Sequence, residues 1–176
     1  MDNELPPDPN EKHYVRNAGL VLLHPFFSVY FTRLGILQDN LFINHDARMR
    51  AVHLLQYLVD GAPDAPEPEL VLNKLLCNIP LEDPVKPGIT LTEQEKIVSA
   101  EMLTAVISHW EKLKNTSIEG LQASFLQRDG ALHFKDEAWR LKVETRGYDV
   151  LLQTLPWSIS LIKMPWMNDA LYLEWT

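Results

Sequence analysis

A chain of 176 residues that is 46% hydrophobic can fold as one domain with a substantial core, or as two small packed ones, without disulfides or metal. Its formal net charge of -8 removes any global attraction to nucleic acid or anionic lipid. One cysteine excludes an intrachain disulfide, and no apolar run reaches the roughly 20 residues of a membrane-spanning helix; a soluble, cytoplasmic product is expected.

Residues 1–13 are polar, acidic and dotted with Pro6, Pro7 and Pro9. Such a stretch buries too little to order itself and reads as a flexible linker or tail, with a single folded domain expected over 14–176. From Ala18 to Leu34 the chain is almost wholly apolar. Phe26, Phe27, Tyr30, Phe31 and Leu34 recur at helical spacing behind Pro25, which suits a first turn, and Gly35 is a natural stop. Asp46 is expected to cap the next helix, marked by Met49, Val52, Leu55 or Gln56, and Val59, and ended by Gly61. The proline-rich residues 61–68 form a rigid loop. Pro68 then opens a short helix through Leu70, Leu72, Leu75 and Leu76, and residues 78–90 form a second loop.

Thr92 and Glu95 have the spacing of a capping box. The helix they start buries Leu103, Val106, Ile107, Trp110 and Leu113, and Asn115 is expected to end it. Asn115-Thr116-Ser117 matches a glycosylation sequon but reads as a turn, because no secretory signal precedes it. Thr116 with Glu119 suggests a second capping box before Leu121, Phe125 and Leu126.

The period then changes. Asp129-Gly130 reads as a turn, and Leu132, Phe134, Trp139, Leu141 and Val143 alternate with polar residues as in a hairpin with one buried face. Thr145 is expected to cap a helix through Tyr148, Val150, Leu151, Leu152 and Leu155. Ile159, Leu161 and Lys163 suggest a third strand, and Leu171, Leu173 and Trp175 a fourth. The predicted fold class is α+β: a helical part over 14–128, then a small, mostly antiparallel ββαββ unit over 129–176.

Nothing in the residues spells catalysis. His24, His45, His53, His109 and His133 form no i,i+4 pair and no H-E-x-x-H, so no metal is expected. Cys77 lies in an apolar stretch, where a buried thiol is inert. Glu93, Glu95, Glu101 and Glu111 lie on one helix and read as its solvated face rather than as paired carboxylates for glycan cleavage. There is no nucleophile elbow and no phosphate-binding glycine loop, so no cofactor is expected. Asn17, just before the apolar run, reads as a helix cap or turn residue.

Three of the five tryptophans fall in the last twenty residues, two of them directly after prolines. Trp110 and Trp139 fit core faces. Trp157, Trp166 and Trp175 admit two readings: core closure, or an exposed aromatic anchor for a protein partner.

Six segments in order carry a family resemblance. They are the run from Asn17 to Phe26; Arg50-Ala51-Val52-His53-Leu54-Leu55-Gln56-Tyr57-Leu58; Glu69 to Cys77; Ala105-Val106-Ile107-Ser108-His109-Trp110; Leu113 to Ser117 with Gly120-Leu121 and Ser124 to Arg128; and the ending with Leu155-Pro156-Trp157, Leu161 to Met167 and Glu174-Trp175. Together they resemble the tape-measure family of contractile, phage-tail-like injection systems, C-terminal region, over about residues 14–175. The resemblance implies a structural, non-enzymatic component without cofactor, metal or catalytic residues. It is expected to dock on protein components of the particle (tube, baseplate, spike or cap), to be cytoplasmic during assembly with release within the assembled particle as a further option, and to bind neither nucleic acid nor membrane. Trp157, Trp166 and Trp175 are the residues expected to meet the partner. The rival readings are a soluble adaptor or assembly chaperone and, third, a particle-borne cell-wall hydrolase.

A ruler works by length, and 176 residues, even if wholly helical, would reach only roughly 260 Å. The resemblance is therefore to the folded terminal module of a longer ruler, or to a short paralogue that kept the docking module alone.

Overall fold

The computed structural model describes residues 6–175. It begins with β1 (His13–Val15), a 3-10 run over Ala18–Phe26, α1 (Phe27–Arg33) and the small hairpin β2 (Leu37–Gln38) and β3 (Leu41–Phe42). There follow α2 (His45–Asp60), a 3-10 turn at Glu67–Leu70 leading into α3 (Val71–Leu76), and α4 (Glu93–His109). A 3-10 turn at Glu111–Leu113 precedes α5 (Ile118–Leu121), which continues as a π turn through Gln122–Leu126. The chain ends in β4 (Gly130–Lys135), β5 (Ala138–Val143), a 3-10 helix over Gly147–Thr154, β6 (Leu161–Ile162) and β7 (Leu171–Glu174). This is the expected α+β fold.

The apolar run is the axis of the core. Ala18, Leu20, Val21, Leu22 and Leu23 are sealed from solvent, and their segment touches α1, α2, α4, β5 and the π turn. Gly19 sits there because nothing larger fits. A Cβ on it would lie 1.7 Å from the Phe125 carbonyl oxygen. That approach lets the Ala18 N–H donate to the Arg128 carbonyl at 2.8 Å.

Local signals held where they rest on short-range chemistry. Thr92 and Glu95 form the capping box: the Thr92 N–H donates to Glu95 Oε1 at 2.9 Å and the Glu95 N–H to Thr92 Oγ1 at 3.1 Å. Gly35 and Gly61 take the left-handed backbone, with φ of 74° and 75°, that ends a helix. Other signals were displaced. α2 is capped by Asn44, whose Oδ1 accepts the Ala47 N–H at 2.7 Å, and Asp46 falls in the first turn, where its carboxylate suits the helix dipole. α5 is capped by Ser117, one residue after Thr116. α4 stops at His109, and Asn115 lies beyond the 3-10 turn that follows. The 3-10 helix over Gly147–Thr154 starts from Arg146, whose N–H donates to Asp149 Oδ2 at 2.9 Å, so Thr145 is not its cap.

The hairpin turn is also displaced. Asp136 and Glu137, with φ of 54° and 62°, form the two-residue connection between β4 and β5. Left-handed backbone at both positions matches the right-handed twist of the strands. Asp39 and Asn40 do the same between β2 and β3. Gly130 instead opens β4 opposite Val143, and a Cβ on it would meet the Ala18 methyl at 2.8 Å. Its small size serves packing, not a turn.

The main sheet has the order β1-β4-β5-β7-β6. Three pairings are antiparallel and β5 runs parallel to β7. β1 joins this sheet from the far end of the chain. Of the 1–13 stretch read as linker, residues 1–5 lie outside the described residues, 6–12 are exposed without helix or strand, and His13 enters β1. Leu132, Leu141, Leu171 and Ile162 turn inward to the helices, while Ala131, Lys142, Arg140 and Tyr172 alternate outward.

Candidate functional site

The three terminal tryptophans do different work. Trp166 is 3% exposed and packs edge-to-face on Phe31 and at a tilt on Phe42, with ring centroids at 5.9 Å and 5.3 Å. Its indole N–H donates to the Leu76 carbonyl at 2.8 Å. Leu76 is the last residue of α3, so the indole satisfies one of the carbonyls that a helix end leaves unpaired. Trp175 is 7% exposed and donates to Asp149 Oδ2 at 3.0 Å. Both are core side chains in this fold, not exposed anchors. Trp157 alone remains half-buried: its N–H donates to the Leu22 carbonyl at 2.9 Å while its ring meets the edge of Phe26 at 5.2 Å.

Around Trp157 the surface is aromatic. Phe26 is half-buried between Trp157 and the ring of His109, whose centroid lies 5.7 Å away. His109 is exposed at the end of α4, and its Nδ1–H donates to the Ala105 carbonyl at 2.8 Å. His24 donates through Nε2 to the Ser158 carbonyl at 2.8 Å, and burial lowers its pKa against the raising effect of that bond. Pro25 and Pro156 flank the rings and are exposed. Prolines have a fixed φ and no N–H, so this surface is stiff and offers few donors. It can take an apolar or aromatic side chain without much ordering cost.

Trp175 belongs to a second construction that the sequence did not reveal. Arg128 is fully buried, between the rings of Phe125, Tyr148 and Trp175 at 5.6, 5.2 and 5.3 Å. Its Nη1 donates to Asp149 Oδ2 at 2.8 Å, its Nη2 to Asp149 Oδ1, and its Nε to the Ser124 carbonyl at 3.0 Å. Burial alone would push the Asp149 carboxyl up, but Arg128, the Arg146 N–H and Trp175 hold it below the usual carboxylate range. The arrangement ties Trp175 to the segment after the π turn and to the last 3-10 helix.

A second buried polar group joins Asn17, Gln56 and Asn73. The Asn17 amide donates to Gln56 Oε1 at 2.8 Å and to Asn73 Oδ1 at 2.7 Å, and Asn73 donates to the Val52 carbonyl at 3.0 Å. Asn17 precedes the 3-10 run but makes no side-chain cap there. Its amide ties the apolar axis to α2 and α3.

The other sequence candidates do not converge. Cys77 is fully buried, and desolvation pushes its thiol well above the ordinary range. His53 is buried with Nε2 on the Lys86 carbonyl at 2.6 Å, His45 is exposed, and His133 is half-buried in β4. Among the described residues no group of three or more His, Cys, Asp or Glu is placed to hold a metal ion. Glu93 and Glu101 pair with Lys96 and Arg33 at the surface, and Glu111 is exposed, as expected of a solvated face. Glu95 is not part of that face: it is buried against Arg50, whose Nε donates to it at 2.6 Å. Burial alone would raise its pKa, but Arg50 and Thr92 outweigh burial and hold it below the usual range. No helix among the described residues is long and apolar enough to cross a membrane.

Compared with known proteins, the chain matches one family model over residues 2–175, described as contractile injection system tape measure protein. No curated protein and no solved structure matches it.

Proposed function

Because this chain belongs to the contractile injection system tape measure protein family, we propose that it is a docking module of the particle, and that its contact surface is the aromatic patch of Phe26, His109 and Trp157. Family membership gives it a tape-measure-related structural role. The docking reading rests on one observation: Trp157 is the terminal tryptophan that still reaches the surface, on a stiff, donor-poor face. Partly exposed aromatics beside prolines suit the hot spot of a protein interface. Trp166 and Trp175 serve the same function indirectly, by holding the chain end that presents Trp157. The partner is a protein component of the particle, among tube, baseplate, spike and cap. In this reading the chain is non-enzymatic, is made in the cytoplasm, stays with the particle after assembly, and acts over 14–176 as one unit, in keeping with a core cluster that runs from Val15 to Trp175.

The test is capture with purified tube, baseplate, spike and cap proteins. His109→Asp and Pro156→Asp change exposed positions of the patch and leave the core intact. Native protein is expected to retain one component, and both variants to retain it about tenfold more weakly. Retention of none of the four by the native protein, or equal retention by the folded variants, overturns the reading. Digestion of purified cell walls by the native protein would overturn its non-enzymatic part.

A further inference from the structure

A second surface, remote in character from the aromatic patch, is a cleft of about 560 Å³ between the lead-in to β1, the turn after α3 and the loop at Asn168 and Asp169. That volume lies in the roughly 300–1,000 Å³ range of clefts that enclose a ligand. Its apolar wall has a floor of Leu75, Ile79 and Trp139, 8%, 4% and 5% exposed, and an open rim of half-buried Leu81 and exposed Pro80 and Pro7. Trp139 is held by the edge of Phe134 at 5.3 Å and the tilted ring of His13 at 6.1 Å. The loop itself is braced, since Asn78 takes a left-handed φ of 60° and its Oδ1 accepts the Asn168 N–H at 3.0 Å.

The charges of the cleft have one sign. Glu11, Glu82 and Asp169 line it, with the His13 ring 3.9 Å from Glu11, and no lysine or arginine does. All three carboxylates are exposed. Lys74, near in sequence, is committed to Glu67 at 2.8 Å and to the Leu81 carbonyl at 2.9 Å, so it does not neutralise them. The carboxylates come from three separate chain segments and are not grouped closely enough to hold a metal ion. The complementary ligand therefore carries several cationic groups spaced along its length, with apolar groups between them for the Leu75–Ile79–Trp139 wall.

We infer that this cleft binds a polypeptide segment of another protein in which lysine or arginine alternates with aliphatic residues. Neither Phe26, His109 nor Trp157 lines the cleft, so the inference stands apart from the docking patch and its test. Charge sets the orientation of such a segment and its rate of capture, and the apolar wall supplies the contact area.

The probe is a fluorescein-labelled Leu-Arg-Leu-Arg-Leu-Arg peptide, followed by anisotropy with the intact protein. The same length of alternating Leu-Glu tests charge, alternating Ser-Arg tests the apolar wall, and spermine as competitor tests whether a bare polycation suffices. Binding of the Leu-Arg peptide about tenfold tighter than either comparator supports the inference, as does about tenfold weaker binding to Glu82→Lys and to Asp169→Lys with less than about a twofold change in Glu119→Lys, which alters charge equally outside the cleft. No binding of the Leu-Arg peptide overturns it. So do equal binding of the Ser-Arg peptide, equal losses in all three variants, and full displacement by spermine at peptide-like concentrations.

Discussion

Arg128 and Asp149, 21 positions apart, meet inside the protein as a two-pronged ion pair, with Nη1 to Oδ2 at 2.8 Å. A third group, the Trp175 indole, bonds the same carboxylate oxygen at 3.0 Å. The pair thus joins the end of the π turn, the start of the last 3-10 helix and the end of β7. Removing one member leaves the other charged and buried. Asp149→Asn is expected to cost about 3–5 kcal/mol in urea unfolding, because breaking a buried pair costs more than the pair is worth. Exchanging both members for apolar residues of like size is expected to cost less than the two single changes added together.

Acid should weaken the fold through carboxyls whose folded pKa lies below the unfolded one. Asp149 and Glu95 are both of this kind. Their stabilisation is complete above the ordinary carboxylate values of about 3.9 and 4.3, and it disappears as the pH falls through the lower folded values. Urea midpoints should therefore fall steeply below about pH 4.5. Glu95→Gln lowers stability at neutral pH and flattens that acid dependence, since it removes one of the two linked groups. A variant with the native slope would disprove the Glu95 share.

Gly19→Ala tests the backbone contact at the core axis. A methyl placed 1.7 Å from the Phe125 carbonyl oxygen cannot be accommodated by turning a side chain. The expected loss is about 3 kcal/mol or more, large for one added carbon. Thermal unfolding followed by circular dichroism measures it. A loss under about 1 kcal/mol would show that the two segments separate freely.

Trp166 offers a graded pair. Trp166→Phe keeps most of the packing against Phe31 and Phe42 but frees the Leu76 carbonyl, at an expected cost of about 1–3 kcal/mol. Trp166→Ala also opens a cavity and should cost about 3–5 kcal/mol. Equal costs would mean that the hydrogen bond, not the ring, carries the effect.

Glu137→Gly should act in the opposite direction. Glu137 holds φ at 62°, which is strained for a residue with a side chain and free for glycine. Stability is expected to rise by up to about 1 kcal/mol in urea unfolding, with the hairpin register unchanged.

These cases separate what was legible in the chain from what was not. The Thr92–Glu95 box, the stops at Gly35 and Gly61, the buried stripe through Leu103 and Trp110, and the alternation of β5 were all readable. Each depends on residues a few positions apart and on a repeat set by local geometry. Caps slipped by one or two residues where several polar residues competed, as at Asn44 against Asp46. The β4–β5 turn was misplaced because Asp129-Gly130 is the stronger dipeptide signal, while Asp136-Glu137 lacks the glycine that such turns favour.

By itself the sequence determined the α+β class, the order of helices before the sheet, and the apolar mass of the last twenty residues, because periodicity and composition are properties of neighbours along the chain. Only the tertiary structure decided that β1 completes the sheet, that Arg128 faces Asp149, that Asn17 meets Gln56 and Asn73, and that Trp166 and Trp175 turn inward while Trp157 reaches the surface. Each of those outcomes depends on which distant carbonyl, carboxylate or ring is brought within bonding distance, and that is fixed only when the segments pack together.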